Sequence, residues 1–217
     1  GGLVAAIFGV IIGIPALRLN GDYLAIVTLA FGEIIRSVLN NVKFTGGAGG
    51  LKGIDKTSNF TIAYILVILT LIVITNVVRS RHGRAIMAIR DNIIAAQSVG
   101  INIVYYKLVA FVGAAFFAGV AGVLYGHNLG ILKPSTFDFN KSIEILVIVV
   151  LGGMGNITGS VIAAIIITLL PEVLRDLADY RMLIYSIALI VMMLFSSNPT
   201  LVEFRKKIFK TKKGGNK

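Results

Sequence analysis

The residues with chemically reactive side chains are few, and they do not form a catalytic or metal-binding pattern. The 217-residue sequence contains no Cys, which excludes thiol nucleophiles, disulfides and thiolate metal sites. His82 and His127 lack other ligands at metal-binding spacing, and no arrangement of Ser, His and Asp is typical of a hydrolase. We therefore predict that the chain is not an enzyme and uses no catalytic residue, metal or cofactor.

A glycine-rich segment at residues 46–53 has the composition of a phosphate-binding loop but not its spacing. A P-loop requires a Lys followed by Ser or Thr at the start of a helix, whereas Lys52 is followed by Gly53. We therefore exclude a nucleotide site in this segment. Any ATP that drives the protein has to bind to another chain.

Two ionisable residues lie within an apolar run, where charges are costly and usually functional. Glu33 and Arg36 are three residues apart and so share one face of a helix. They predict either an interior ion pair that fixes the helix or the lining of a polar path. Thr28, in the same run, is a further candidate for that path because its hydroxyl could contact a polar solute.

The composition indicates that these residues are held in a membrane. Hydrophobic residues make up 56% of the chain and charged residues 14%, against roughly 45–50% and about 25% in soluble proteins, and the mean hydropathy is +0.88. The apolar runs are continuous rather than alternating, which predicts helices. We predict an all-α fold, a polytopic transmembrane helical bundle with about six hydrophobic segments, at residues 2–17, 22–39, 60–78, 105–125, 143–170 and 182–195.

The run at residues 143–170 is too long for one ordinary span, and glycines interrupt it. It is either one tilted helix or two short helices that meet at Gly152, Gly153 and Gly155. We prefer the break, because it places the basic C-terminal residues on the same side as the Arg-rich loop at 79–104. Irregular backbone in a membrane is tolerated where it lines a cavity, so these glycines are also candidates for a translocation path.

The formal net charge of +11 is concentrated beside apolar runs, which is typical of membrane topology and does not indicate a nucleic-acid partner. Seven of the last thirteen residues are basic, and four Arg residues lie within the loop at 79–104. The positive-inside tendency places both clusters in the cytoplasm, and residues 40–59 then lie outside. Lys43, Lys52 and Lys56 do not fit this arrangement.

Small residues spaced four apart predict close packing between helices. These pairs include Gly9 with Gly13, Ala115 with Gly119, Ala118 with Gly122, and Gly122 with Gly126.

The segment at residues 80–101 lies between two spans and has helical spacing of its apolar residues. Ile86, Ile89, Ile93 and Ile94 predict one amphipathic helix, followed by a turn of small residues that ends at Gly100. Such a helix lies on the membrane surface or docks into a groove of a cytoplasmic partner. We prefer docking, because the segment is rich in Ala and lacks aromatic anchors.

Four segments, in the same order along the chain, resemble the LivH/LivM family of binding-protein-dependent permeases, and specifically its LivM type. They are GDYLAIVTLAFGEI at residues 21–34, the loop from TGG to GI at 45–54, the stretch from GR through AA to G at 83–100, and LGGMG at 151–155. The resemblance covers about residues 15–195. It does not extend to the basic tail.

The resemblance implies the permease subunit of an ATP-binding cassette importer that carries branched-chain amino acids, namely leucine, isoleucine and valine. The implied partners are a homologous LivH-like permease, two cytoplasmic ATPases and an extracytoplasmic solute-binding protein, together with the lipid bilayer. The alternatives are a permease for a sugar, urea or another amino acid, or an ion-coupled secondary transporter. The chain itself would hydrolyse no ATP.

By the same resemblance, residues 83–100 correspond to the cytoplasmic region that couples the permease to its ATPases. We expect electrostatic contacts from Arg84, Arg90 and Asp91. The remaining expected coupling residues are small, and they are Gly83, Ala95, Ala96 and Gly100.

We predict a transmembrane permease domain at residues 1–198 and a basic cytoplasmic tail at 199–217. The protein is expected in the cell membrane as a multi-pass protein. Because the first apolar segment starts without Met or a recognisable signal peptide, we expect the chain to be part of a longer polypeptide.

Overall fold

The computed structural model describes residues 1–19, 22–173 and 190, and most of this part is helical. The prediction of an all-α membrane bundle is confirmed. Within the described residues, three helical stretches are long and apolar enough to cross a membrane, at Tyr23–Asn41, Phe60–Arg79 and Ile103–Leu129. The chain divides into two compact units, Gly1–Phe139 and Asn140–Lys217.

The first unit contains six helices and one small antiparallel strand pair. The helices are α1 (Gly2–Ala16), α2 (Asp22–Asn41), α3 (Phe60–Arg79), α4 (Arg81–Asp91), α5 (Ile93–Ser98) and α6 (Ile103–Leu129). The strands are β1 (Leu51–Lys52) and β2 (Ile131–Leu132), and short 3-10 turns lie at Lys43–Thr45, Gly47–Gly49 and Pro134–Thr136. In the strand pair Leu51 lies opposite Leu132 and Lys52 opposite Ile131.

The preferred break in the run at residues 143–170 is confirmed, because the structure has two helices there. Helix α7 covers Phe139–Gly152 and α8 covers Ile157–Val173. Gly153 and Gly155 between them have φ angles of +89° and +84°, a region that other residues rarely adopt. Asn156 then starts α8, since its side-chain oxygen accepts a hydrogen bond from the backbone N–H of Gly159 at 3.2 Å.

The last expected span and the tail cannot be compared with the structure. Of the span at residues 182–195 only Ile190, which is helical, belongs to the described part. The basic tail at 199–217 lies outside the described residues, as do positions 174–181 of the connection that precedes the span.

Helices α1 and α6 form the main helix pair of the first unit, and they run antiparallel. Gly2 lies beside Phe116 and Val120, whereas Gly13 lies beside Leu108 and Phe111. In lipid the hydrophobic effect does not join helices, so close van der Waals contact between small residues has to do it.

The small-residue pairs predicted from the sequence serve this contact in part. A Cβ added to Gly9 would lie 2.9 Å from the Cβ of Ala115, and one added to Gly119 would lie 2.9 Å from the carbonyl oxygen of Gly1. These positions therefore need glycine for the two backbones to approach. Gly122, in contrast, has no described atom within 4 Å of an added Cβ, so the packing expected from its two pairs is not made within the described residues.

Two of the glycines of α6, Gly119 and Gly122, give a matched test of this packing. We expect Gly119→Ala to lower the stability of the purified protein in detergent by about 1–3 kcal/mol, because the added methyl group forces α1 away. Gly122→Ala should raise the stability by up to about 1 kcal/mol through its higher helix propensity. Thermal unfolding of both variants checks this, and equal melting temperatures would contradict the proposed helix contact.

Candidate functional site

The candidate site starts where α3 ends and the chain turns sharply into α4. Ser80 is extended at this turn, with φ −72° and ψ 174°. Its hydroxyl donates a hydrogen bond to the carbonyl of Val77 at 2.6 Å and accepts one from the backbone N–H of Gly83 at 3.2 Å. One side chain therefore closes α3 and caps α4.

Gly83 and Arg84 fasten the start of α4 to the end of α3. Gly83 is buried, and a Cβ added to it would overlap the backbone carbonyl groups of Val77 and Val78. The Nη1 atom of Arg84 donates a hydrogen bond to the carbonyl of Arg79 at 3.2 Å. Both residues were predicted to contact a partner. Instead, Gly83 is enclosed by its own chain, and Arg84 uses one of its N–H donors for a hydrogen bond within the chain.

The prediction of one amphipathic helix through Ile86, Ile89, Ile93 and Ile94 is wrong. Helix α4 ends at Asp91, and Asn92 is extended with φ −155° and ψ 109°. Its side-chain oxygen accepts a hydrogen bond from the N–H of Ala95 at 3.0 Å and starts the separate helix α5. As a result Ile89 is 5% exposed whereas Ile94 is 78% exposed, so these isoleucines do not share one face.

Gly100 ends α5 and turns the chain into α6. Its φ angle is +83°, its N–H donates to the carbonyl of Gln97 at 3.0 Å, and the N–H of Ile101 donates to that of Ala96 at 3.1 Å. This pair of bonds is a Schellman motif, which favours glycine at this position. The stretch expected as a turn of small residues is thus helical as far as Ser98 and turns only after it.

The seven residues predicted for coupling fall into two groups. Gly83 and Ala96 are buried and support the segment from inside, and the other five are exposed. Among the exposed residues, the guanidinium of Arg90 donates two hydrogen bonds to Asp91 Oδ1, at 3.0 and 2.9 Å. An exposed pair of this kind adds little stability, so both side chains can exchange this contact for one with a partner.

Two exposed apolar residues beside these charges were not among the predicted coupling residues. Ile94 is 78% exposed and Val99 is 76% exposed. The signal that could have found Ile94 is Asn92, whose type is preferred at the start of a helix and so separates Ile94 from the stripe of α4. We call Ile94, Ala95 and Val99, together with Arg90 and Asp91, the coupling surface.

The ion pair expected between Glu33 and Arg36 is present. The Nε atom of Arg36 donates to Glu33 Oε2 at 2.9 Å, and its Nη2 donates to the same oxygen. The two side chains remain 34% and 40% exposed, Arg36 and Glu33 respectively. The hydroxyl of Thr28 donates to the carbonyls of Leu24 and Ala25 at 2.9 and 3.0 Å, so only its lone pairs are left for a solute.

The glycines of the second unit have distinct structural roles. Gly152 is buried, and a Cβ added to it would overlap the backbone of Ser160. Gly153 and Gly155 supply the positive φ angles of the break, and Met154 between them is 76% exposed. A role of these residues in a translocation path remains a prediction.

At the C-terminal end of α6, the glycine-rich segment at residues 46–53 contains β1, which pairs with β2. Gly50 has φ +74°, and a Cβ added to it would overlap the carbonyl of Leu132. His127 Nδ1 lies 2.8 Å from the carbonyl oxygen of Asp55, a distance that suits donation from a protonated Nδ1. Gly50 therefore allows the close pairing of β1 with β2.

The region around this strand pair is basic and carries an exposed aromatic ring. Lys52, Lys56 and Lys133 are exposed, and none forms an ion pair with a described residue. Gly130 and Gly50 place Lys56 and Lys133 beside the strand pair, and Phe44 nearby is 93% exposed. We call the three lysines the lysine platform.

Among the described residues, no three His, Asp or Glu side chains are grouped to hold a metal ion.

The chain is similar to a family of known membrane transport proteins. Residues 1–196 match the model of the family described as branched-chain amino acid transport system / permease component. The chain is 38% identical over 251 residues to the high-affinity branched-chain amino acid transport system permease protein LivM of Escherichia coli, an alignment that covers 100% of this chain and 59% of that protein.

Two further relatives extend the comparison. LivM of Salmonella typhimurium is 38% identical over 229 residues, covering 89% of this chain and 54% of the relative. The permease protein LivH of Escherichia coli is 33% identical over 112 residues, covering 51% and 36%. The chain thus spans little more than half the length of the LivM proteins it matches, and no solved structure matches it.

Because the family model covers nearly the whole described part of the chain and the identity to LivM extends along its full length, this protein belongs to the family of branched-chain amino acid transport permease components.

Proposed function

We propose that the chain forms the membrane path of an ATP-driven importer for leucine, isoleucine and valine. The observation that carries this proposal is the segment α4–α5, a pair of short helices inserted between two helices long enough to span a membrane. A segment of this kind gives a soluble motor protein a rigid point of contact. The substrate is taken from the names of the relatives, which are branched-chain amino acid permeases.

The proposed partners are a homologous LivH-like permease subunit, two cytoplasmic ATPases and an extracytoplasmic solute-binding protein. The similarity to both LivM and LivH proteins supports a complex of two related permeases. Hydrolysis of ATP belongs to the ATPases, because a chain of this family supplies the transport path. In this arrangement the coupling surface and the basic tail at residues 199–217 face the cytoplasm, and the permease domain covers residues 1–198.

The contacts of α4 and α5 explain how motion would pass into the membrane. Gly83 and Arg84 fix α4 to the end of α3. The ring of His82 in α4 lies 6.0 Å from that of Tyr106 in α6, and α5 leads into α6 through Gly100 and the helix cap at Asn102. A force on the coupling surface would therefore move α3 and α6 together as rigid elements, which suits alternating access.

The path is proposed to include Thr28 and Glu33 of α2 and the break at Gly152, Gly153 and Gly155. The ion pair with Arg36 supports this role for Glu33, because a paired carboxylate is tolerated in a membrane and the side chain remains partly exposed. The break supports it for the glycines, because their backbone departs from the helix.

The lysine platform is proposed to receive the solute-binding protein. It lies at the end of α6 opposite to the coupling surface, and so on the outer side in this arrangement. Three exposed lysines without a described acidic partner favour an acidic protein surface. This role also accounts for basic residues on the side where positive charge is otherwise uncommon.

Purification of the native complex tests the proposed function directly. We expect ATPase subunits to copurify with this chain, and leucine uptake into proteoliposomes to require ATP and a loaded binding protein. Uptake that needs no ATPase and follows an ion gradient would instead support an ion-coupled transporter and contradict the proposal.

Gly100 tests the coupling role. In the full-length protein with its partners, we expect Gly100→Val to reduce the amount of leucine transported per ATP hydrolysed by about tenfold. The left-handed conformation costs such a residue roughly 1–2 kcal/mol, so the turn into α6 is lost. Gly100→Asn is the control, because Asn tolerates this conformation and should retain coupling. Normal transport by the Val variant, inserted at the normal level, would remove the coupling role.

The lysine platform gives a test of binding-protein docking. We expect Lys52→Glu combined with Lys56→Glu to raise the concentration of loaded binding protein needed for half-maximal ATPase stimulation by about tenfold at low salt. The charge-conserving change of both residues to Arg should leave it nearly unchanged. The difference should shrink as salt is raised. If Glu and Arg variants respond alike, the platform does not receive the binding protein.

A further inference from the structure

A groove of about 590 Å³ opens at the end of the α1 and α6 pair, beside the start of α6. Its lining includes Leu17 and Arg18, which follow the last helical residue of α1, and Gln97 and Gly100 at the end of α5. The other wall is the first turn of α6 and Lys107. The groove therefore lies where one membrane helix ends and another begins.

The groove concentrates positive charge. Among the described side chains, Arg18 and Lys107 line it, no acidic one does, and neither cation forms an ion pair. The amide of Gln97 adds a hydrogen-bond donor. Two cations that share one groove repel each other, and an anion between them would remove that repulsion.

The depth of the two cations matches the headgroup region of a bilayer. Arg18 lies two residues beyond the end of α1, and Lys107 lies four residues after the start of α6, which is about 6 Å along the helix axis. Apolar side chains, among them Leu17, Ile101 and Val104, complete the walls. A ligand that fits these walls combines an anionic head with apolar groups.

We propose that this groove binds the phosphate group of an anionic phospholipid. Basic pockets between membrane helices on the cytoplasmic side bind lipid headgroups of this kind, and the placement in the cytoplasmic leaflet rests on the proposed function. Arg18 and Lys107 contact the phosphate, Gln97 donates to it, and the apolar wall receives the glycerol and the first acyl carbons. Because Gln97 and Gly100 belong to the turn between α5 and α6, the bound lipid would brace that turn.

Lipid retention by the purified full-length chain tests this proposal. Native mass spectrometry would be run in detergent mixed with phosphatidylglycerol, with phosphatidylcholine, or with phosphatidylglycerol plus inorganic phosphate. We expect one saturable phosphatidylglycerol, and about tenfold lower occupancy when Arg18→Gln and Lys107→Gln are combined. Arg79→Gln with Arg81→Gln is the matched control, since it removes two charges beside the same end of the helices but outside the groove.

Three outcomes would overturn the proposal. They are unchanged retention in the groove variant, equal loss in the control variant, and complete displacement of the lipid by inorganic phosphate, which would assign the groove to free phosphate. Thermal unfolding of both variants shows whether each is folded. None of these measurements involves ATP or uptake, so a failure of the importer function would be recognised separately.

Discussion

This chain can leave a helix only where its backbone N–H and C=O groups find other hydrogen-bond partners. Four helices begin with the same device, in which a Ser or Asn side chain accepts the N–H three residues later. The caps are Ser80, Asn92, Asn102 and Asn156. In the hydrocarbon core of a membrane an unpaired backbone group costs several kcal/mol, and elsewhere a side-chain cap of this kind contributes about 0.5–2 kcal/mol. The positions of these caps therefore determine the division into α4, α5, α6 and α8, and with it the shape of the coupling surface.

Glycine does the complementary work at helix ends and at close contacts. Gly100 and Gly130 end α5 and α6 with positive φ angles of +83° and +75°. Gly83 and Gly119 instead have ordinary helical backbone and are required by neighbouring backbone atoms that leave no room for a Cβ. Glycine is thus required for two different reasons, a left-handed backbone and a close backbone contact. The spacing of glycines in the sequence does not distinguish the two.

The hydrophobic pattern predicted the helices of the membrane region well, because burial in lipid acts on the average of about twenty residues. The spacing of Glu33 and Arg36 within one helix predicted their ion pair as one of two alternatives, and the structure contains the pair. The hydrophobic pattern failed where a single polar residue ends a helix. Asn92 does this within an apolar stripe that otherwise continues from Ile89 to Ile93. The pairing of β1 with β2 joins residues about eighty positions apart, and no periodicity of either segment predicts it.

Helix α6 links the coupling surface and the lysine platform of the first unit. Its start contacts α4 and α5, its length packs against α1, and β2 follows its end. With 27 residues and no internal Pro, it extends about 40 Å, comparable to the full thickness of a bilayer. A helix of this length reaches from one membrane surface to the other, so a tilt at one end displaces the other end. Because β2 follows its far end and pairs with β1, α6 places the lysine platform and the coupling surface at opposite ends of one helix, and the partners proposed for the two sites would be linked through it.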